Sequence, residues 1–116
     1  MNIFDYFKKT EYLYHGTSID NIPNIKIEGL NPTYFTREVI FLSDNPGFPA
    51  FWGKLGALIR IKKRDLKPKI LKKTRGYNGE YQYSETIHPK LLEIRRVSIN
   101  KDSGNLELSL FKDLEC

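Results

Sequence analysis

The chain is poor in the residues that build disulfide frameworks and metal centres. It has one cysteine, Cys116, and two histidines, His15 and His88. A lone cysteine cannot form an intrachain disulfide, and zinc sites need three or four ligands. The histidines share no helical spacing, so no metal is expected. Long apolar runs are also missing. The uninterrupted ones fall far short of the roughly 20 residues of a membrane helix. No charged start followed by an apolar core and a small-residue cleavage site opens the chain, so no secretory signal is expected. With cysteine so scarce, a reducing cytoplasm is the expected location. No G-x-x-x-x-G-K-[ST], G-x-G-x-x-G or G-x-S-x-G occurs, so the phosphate loop, the dinucleotide fingerprint and the serine-hydrolase elbow are all excluded.

What is present fits one globular domain over residues 1–116. Hydrophobic residues make up 40% and charged residues 28%. That is enough to bury a core without staples. The net charge is +5, and its source is local. Residues 60–75 hold nine basic residues and one acid, Asp65. Arg60, Lys62, Lys63, Arg64, Lys72, Lys73 and Arg75 thus form a basic stripe. It suits a nucleic-acid or acidic-protein partner, or it keeps a strand and loop solvated.

The pattern predicts short strands at 12–15, 39–42, 57–61, 69–71 and 80–84. It also predicts a helix over 20–28 that begins near Pro23 and ends at Gly29. Ser43, Asp44, Asn45 and Pro46 read as the cap of a short helix that ends near Trp52. Residues 31–38 read as a loop. Two runs at 94–99 and 106–111 flank Asp102-Ser103-Gly104-Asn105, a hairpin signal. The sum is α+β with a mostly antiparallel sheet.

Three segments can carry chemistry. In Tyr14-His15-Gly16-Thr17-Ser18, a strand ends beside a glycine that lets a ligand approach the backbone, with hydroxyls following. Around Asp44-Asn45-Pro46 stand Phe41, Phe48, Phe51 and Trp52, whose faces suit a flat heterocycle or a core. In Glu80-Tyr81-Gln82-Tyr83-Ser84-Glu85, strand alternation puts Glu80 and Gln82 on one face and the tyrosines with Glu85 on the other. If the tyrosines are core, Glu80 and Gln82 face a cleft or water.

In this order, the three segments resemble the ADP-ribosyltransferase superfamily. The likeness runs from Tyr12 to Ile94. Tyr14-His15-Gly16-Thr17-Ser18 with Ile22, Ile25 and Gly29-Leu30 is similar to the family's first strand and helix. Val39-Ile40-Phe41-Leu42-Ser43-Asp44 with Ala50 is similar to its second motif. Gly79-Glu80-Tyr81 through Ile87-His88-Pro89-Lys90-Leu91-Leu92 is similar to its third. The spacing is nearest to the DNA-modifying toxins and the poly-ADP-ribose polymerase type. The resemblance implies a split β-sandwich with short flanking helices, and NAD in the cleft as co-substrate.

By that resemblance, Glu80 and His15 are the catalytic pair. His15 would hold the adenosine-side ribose and Gly16 the nicotinamide carboxamide, with Thr17 or Ser18 assisting at the ribose. Phe41 falls where a stacking tyrosine stands in the polymerase type, and it lacks the hydroxyl. Phe51 or Trp52 would supply the other stacking face, and Ser43 and Gln82 complete the NAD-binding set. A carboxylate at the 2′-hydroxyl stabilises the positive sugar that forms as the nicotinamide bond breaks. Glu85 is the alternative glutamate. The implied activity is transfer of ADP-ribose to a macromolecular acceptor by a monomeric toxin, effector or phage-type protein, with the basic stripe on the acceptor. Two other readings stand beside it. One is a non-catalytic binding domain of the same fold. The other is a tRNA 2′-phosphotransferase-like enzyme, for which an expected arginine beside His15 and Leu42-Ser43 is missing.

Overall fold

The computed structural model describes residues 11–32, 38–45, 56–99 and 102–114. The chain forms an α+β fold around an open antiparallel sheet. Its strands are β1 (Tyr12–Thr17), β2 (Ile40–Ser43), β3 (Ala57–Lys62), β4 (Leu71–Lys73), β5 (Glu80–Tyr83), β6 (Leu92–Ile99), β7 (Leu106–Leu108) and β8 (Lys112–Asp113). Seven of them run in the order β4-β5-β2-β1-β3-β6-β7, and β8 pairs with β6. A ten-residue helical segment follows β1: a 3-10 turn, Ile19–Asn21, then helix α1, Ile22–Glu28. Among the described residues, no helix is long and apolar enough to cross a membrane.

The expected strands are found, with shifted ends. β1 runs on through Gly16 and Thr17 instead of stopping at the glycine, because β3 pairs with it along its whole length, from Tyr12 opposite Lys62 to Thr17 opposite Ala57. The 69–71 strand lies instead at Leu71–Lys73, where β5 offers a partner. β8 was not foreseen, since two polar residues carry no alternation. The helix expected after Ser43, with Phe48, Ala50, Phe51 and Trp52, lies outside the described residues.

Alternation decides which face is core. β1 buries Leu13, His15 and Thr17. β2 buries Ile40 and Leu42, and β5 buries Tyr81 and Tyr83. Register puts Leu42 opposite Tyr81 and Ile40 opposite Tyr83, so one continuous apolar face results. Ile59, Ile61, Leu92 and Ile94 extend it, and α1 lays Ile22 and Ile25 on it. The helix starts with proline in its first turn, where no N–H is needed, and stops at Gly29 (φ 76°). Directly after it, Leu30 and Ile87 exchange backbone hydrogen bonds of 3.0 and 2.8 Å. The first and third sequence motifs are thereby tied together.

The other face of β1 and β3 carries a second, smaller cluster of Leu58, Tyr14 and Phe111. Arg60 closes it. Its guanidinium donates to both oxygens of Glu93 (3.3 and 3.2 Å) and lies between the rings of Tyr12 and Phe111, at 4.1 and 4.0 Å. Arg95 stacks on Phe111 as well, at 4.4 Å. A planar fork held by a carboxylate and two aromatic faces is a setting in which lysine does not replace arginine. Phe111→Ala should therefore cost about 2–3 kcal/mol, the sum of a lost aromatic contact, two cation–π contacts and an uncovered Leu58. Urea unfolding tests this, and a change below about 0.5 kcal/mol would mean that the C-terminal segment does not brace the sheet.

Candidate functional site

β1 and β2 meet at one described register pair, Tyr14 opposite Ser43. No further pair between them is found among the described residues, and the His15 side chain bridges the two strands instead. Its Nδ1 lies 2.9 Å from the Phe41 carbonyl oxygen. A carbonyl only accepts, so Nδ1 carries the proton. Burial is the larger influence on this imidazole and pushes its pKa below the usual histidine value, against the weaker opposing pull of the Phe41 bond. His15 is therefore neutral at pH 7, with Nε2 as an acceptor.

A cavity of about 290 Å³ opens beside it, lined by His15, Thr17, Asn21, Asn24, Ile25 and the turn Gly29-Leu30-Asn31. The Thr17 hydroxyl accepts from the Asn21 amide at 3.0 Å, which fixes both groups in its wall. This space suits one sugar or heterocycle, not a whole dinucleotide. Asn21 and Asn24 were not picked out from the sequence. Asn21, the last residue of the 3-10 turn, and Asn24, in the first turn of α1, both line the cavity beside β1. Ser18 lies just outside, where its hydroxyl caps the 3-10 turn by accepting from the Asp20 N–H at 3.3 Å.

The other candidates share the opposite side of the sheet. Ser43 stands opposite Glu80, and Phe41 opposite Gln82, all four half-buried. The tyrosines of β5 are core, so Glu80 and Gln82 do face outward together. The backbone around Glu80 is pinned on both sides: Asp44 N–H donates to Gly79 O, and Thr74 N–H to Glu80 O, each at 2.9 Å. The Glu80 carboxylate itself makes no hydrogen bond or ion pair among the described residues. Glu85 differs. It is exposed beyond the strand and holds Lys67 at 2.7 Å. His88 is committed as a cap, accepting from the Lys90 N–H at 3.1 Å.

The structure thus brings His15, Gly16 and Thr17 together at the seam, and Phe41, Ser43, Glu80 and Gln82 together across β2. It does not bring His15 and Glu80 onto one face. The basic stripe divides too. Arg60 is locked between two rings, and Lys63 pairs with Glu11 at 3.5 Å and lies over Tyr81. Lys62 is half-buried, while Arg64, Lys72, Lys73 and Arg75 are exposed. Lysines along β4 also protect an edge strand from pairing with another chain.

The depressed His15 pKa makes a stability prediction. Unfolding lets this imidazole take up a proton that it refuses when folded, so its stabilising effect is complete above the unfolded pKa of about 6.5. That stability declines as pH falls below this value toward the depressed folded pKa, by about 1.4 kcal/mol for each unit of depression. Thermal melting at pH 7.5 and pH 5 should show a larger drop for the wild type than for His15→Gln. Equal drops would mean that His15 takes up its proton as easily folded as unfolded.

No protein-family model matches this chain, and no curated protein matches it.

Proposed function

We propose that the protein is an NAD-dependent mono-ADP-ribosyltransferase, which releases nicotinamide and moves ADP-ribose to a macromolecular acceptor, a nucleic acid or a protein. One observation carries the reading. The three motifs that suggested it, spread over residues 14–92, fall on or beside the adjacent strands β5, β2 and β1. The single described register pair between β1 and β2, Tyr14–Ser43, supports the finer description, a sheet split into two halves with a cleft at the seam.

The residues fit such a substrate by their chemistry. In this reading the neutral His15 ring holds the adenosine-side ribose by a hydrogen bond to one of its hydroxyls. Thr17, Asn21 and Asn24 give the small cavity its hydrogen-bonding walls. Gly16 has no side chain to obstruct the seam. Glu80, half-buried and unpaired among the described residues, supplies negative charge where the sugar becomes positive. The nicotinamide–C1′ bond breaks, its electron pair leaves with the nicotinamide, and an acceptor lone pair closes on C1′. The proton lost by the acceptor goes to solvent or to a carboxylate. Because His15 and Glu80 belong to opposite faces, the dinucleotide must cross the seam past Gly16, with its adenosine end on the His15 side. The enzyme is expected to work as a cytoplasmic toxin or effector and as a monomer.

That same opposition of faces favours one second reading, a non-catalytic domain that binds a nucleoside-sized ligand in the His15 cavity alone. Adenylate-labelled NAD separates the two. Incubated with the protein in lysate, with and without nuclease, it should label a macromolecule under the first reading. Under the second it should be retained without release of nicotinamide.

A further inference from the structure

A second concave site lies at the start of β5, formed by the turn before Glu80. Asp44, Asn45, Lys73, Thr74, Tyr77 and Asn78 line an open pocket of about 820 Å³, floored by Gly76, Gly79 and Tyr81. The turn is held rigidly. Tyr77 N–H donates to Thr74 O at 3.3 Å, and the two bonds beside Gly79 fasten it to β2 and β4. Gly79 (φ 77°) packs against the Asp44 carboxylate, and its positive φ disfavours other residues there. Yet Tyr77 on this rigid turn is 68% exposed. The Thr74 hydroxyl in the wall is buried and has no hydrogen-bond partner among the described residues.

We propose that this pocket binds single-stranded nucleic acid, with one base stacked on Tyr77 and the adjoining phosphates on Lys73 and Arg75. The chemistry selects this partner over an acidic peptide. Lys73 lines the pocket, and exposed Arg75 follows Thr74 in the turn; neither cation has an ion pair among the described residues, while Lys72 stands opposite Gln82 on the other face of β4. Cations alone would serve a carboxylate-rich peptide equally well. An exposed ring beside the Asn78 amide and the Thr74 hydroxyl adds what a base needs, a stacking face with donors and acceptors at its edge. The Asp44 carboxylate can accept from a base amino group, a donor that the acidic side chains of a peptide do not offer. Duplex nucleic acid hides its base faces, so the single strand is the form that fits. The inference narrows the acceptor of the proposed transferase, but it stands on the turn's own chemistry and holds whether or not the seam binds NAD.

The test is fluorescence anisotropy on the full chain without NAD, using labelled DNA and RNA strands of about twelve nucleotides, near the span of known single-strand sites. Binding of either strand, with a tenfold or weaker affinity for an abasic strand of equal charge, is the expected result. Tyr77→Ala should weaken binding by about tenfold or more, and Tyr77→Phe should leave it within about twofold. Lys73→Ala should lower the slope of log affinity against log salt by about 0.7, one phosphate contact on a single strand. The exposure of Tyr77 keeps these variants folded, and melting curves check this. Equal binding of the abasic strand, an unchanged Tyr77→Ala affinity, displacement by polyglutamate of matched charge, or no binding would each overturn the proposal. Nicotinamide release, assayed without any strand, reads the transferase separately, so either idea can fail alone.

Discussion

Replacing Glu80 by glutamine should lower nicotinamide release from NAD by about a hundredfold to a thousandfold, while leaving the fold intact. The size follows from the chemistry. A carboxylate placed where positive charge develops is worth about 3–4 kcal/mol in the transition state, and glutamine keeps its shape while losing its charge. The sparing of the fold follows from the structure. Glu80 is held through its backbone, by Thr74 and by the Gly79–Asp44 bond, and its side chain makes no hydrogen bond or ion pair among the described residues. Substitutions at such positions change stability by no more than about 0.5 kcal/mol. Glu85→Gln is the matched control. That carboxylate is exposed and already holds Lys67 at 2.7 Å. A surface pair of this kind is worth about 1 kcal/mol at most, so turnover should stay within about twofold of the wild type. Chromatographic detection of free nicotinamide measures both. Equal turnover in wild type and Glu80→Gln would remove Glu80 from the chemistry, and with it the main reason to regard the outward face of β5 as catalytic. A loss in Glu85→Gln alone would transfer the role to the exposed glutamate.

Alternation explains why so much of this arrangement could be read from residues alone. Tyr81 and Tyr83 bracket Gln82, and in a strand that pattern has only two outcomes. The burial of both rings in the core fixes Glu80 and Gln82 on the outside. Gly29 stops the helix where expected, and Ile22 and Ile25 are the residues it buries. Three features were not legible, each because it depends on a partner distant in the chain. The seam between β1 and β2 lies where the strands share one described pair, and no local pattern in Tyr14-His15-Gly16 signals it. The opposition of His15 and Glu80 depends on register across β2, since Tyr14 rather than His15 stands opposite Ser43. The sorting of the basic stripe depended on Glu93, Tyr12 and Phe111 for Arg60, and on Glu11 and Tyr81 for Lys63. A charge run shows how many cations there are, and only the fold shows which ones remain unpaired.

Among the four described glycines with positive φ, Gly29→Ala should be the most damaging substitution. Gly29 has φ 76° and ψ −165°, a region open to glycine and strained by about 1–3 kcal/mol for other residues. Space compounds the strain. A Cβ built there runs into the Ile87 carbonyl oxygen and comes within 3.0 Å of its carbon and 3.1 Å of Pro89 Cδ. Backbone cannot swing aside as a side chain can, so the Leu30–Ile87 pair of hydrogen bonds must stretch or break, at about 1 kcal/mol each. Together these give about 3–5 kcal/mol, a large share of the 5–15 kcal/mol typical of a domain. Gly76→Ala isolates the steric part. Gly76 also has positive φ, 87°, but a Cβ there meets nothing within 4 Å. It should therefore cost only about 1 kcal/mol. Urea midpoints for the two variants compare them directly, and similar losses would show that backbone strain alone sets the cost and that the Ile87 contact can yield. The consequence reaches the site, because Gly29, Leu30 and Asn31 form one wall of the His15 cavity. Any Gly29→Ala protein that folds must hold that wall displaced. Nucleotide binding at His15 should then weaken even where the fold survives.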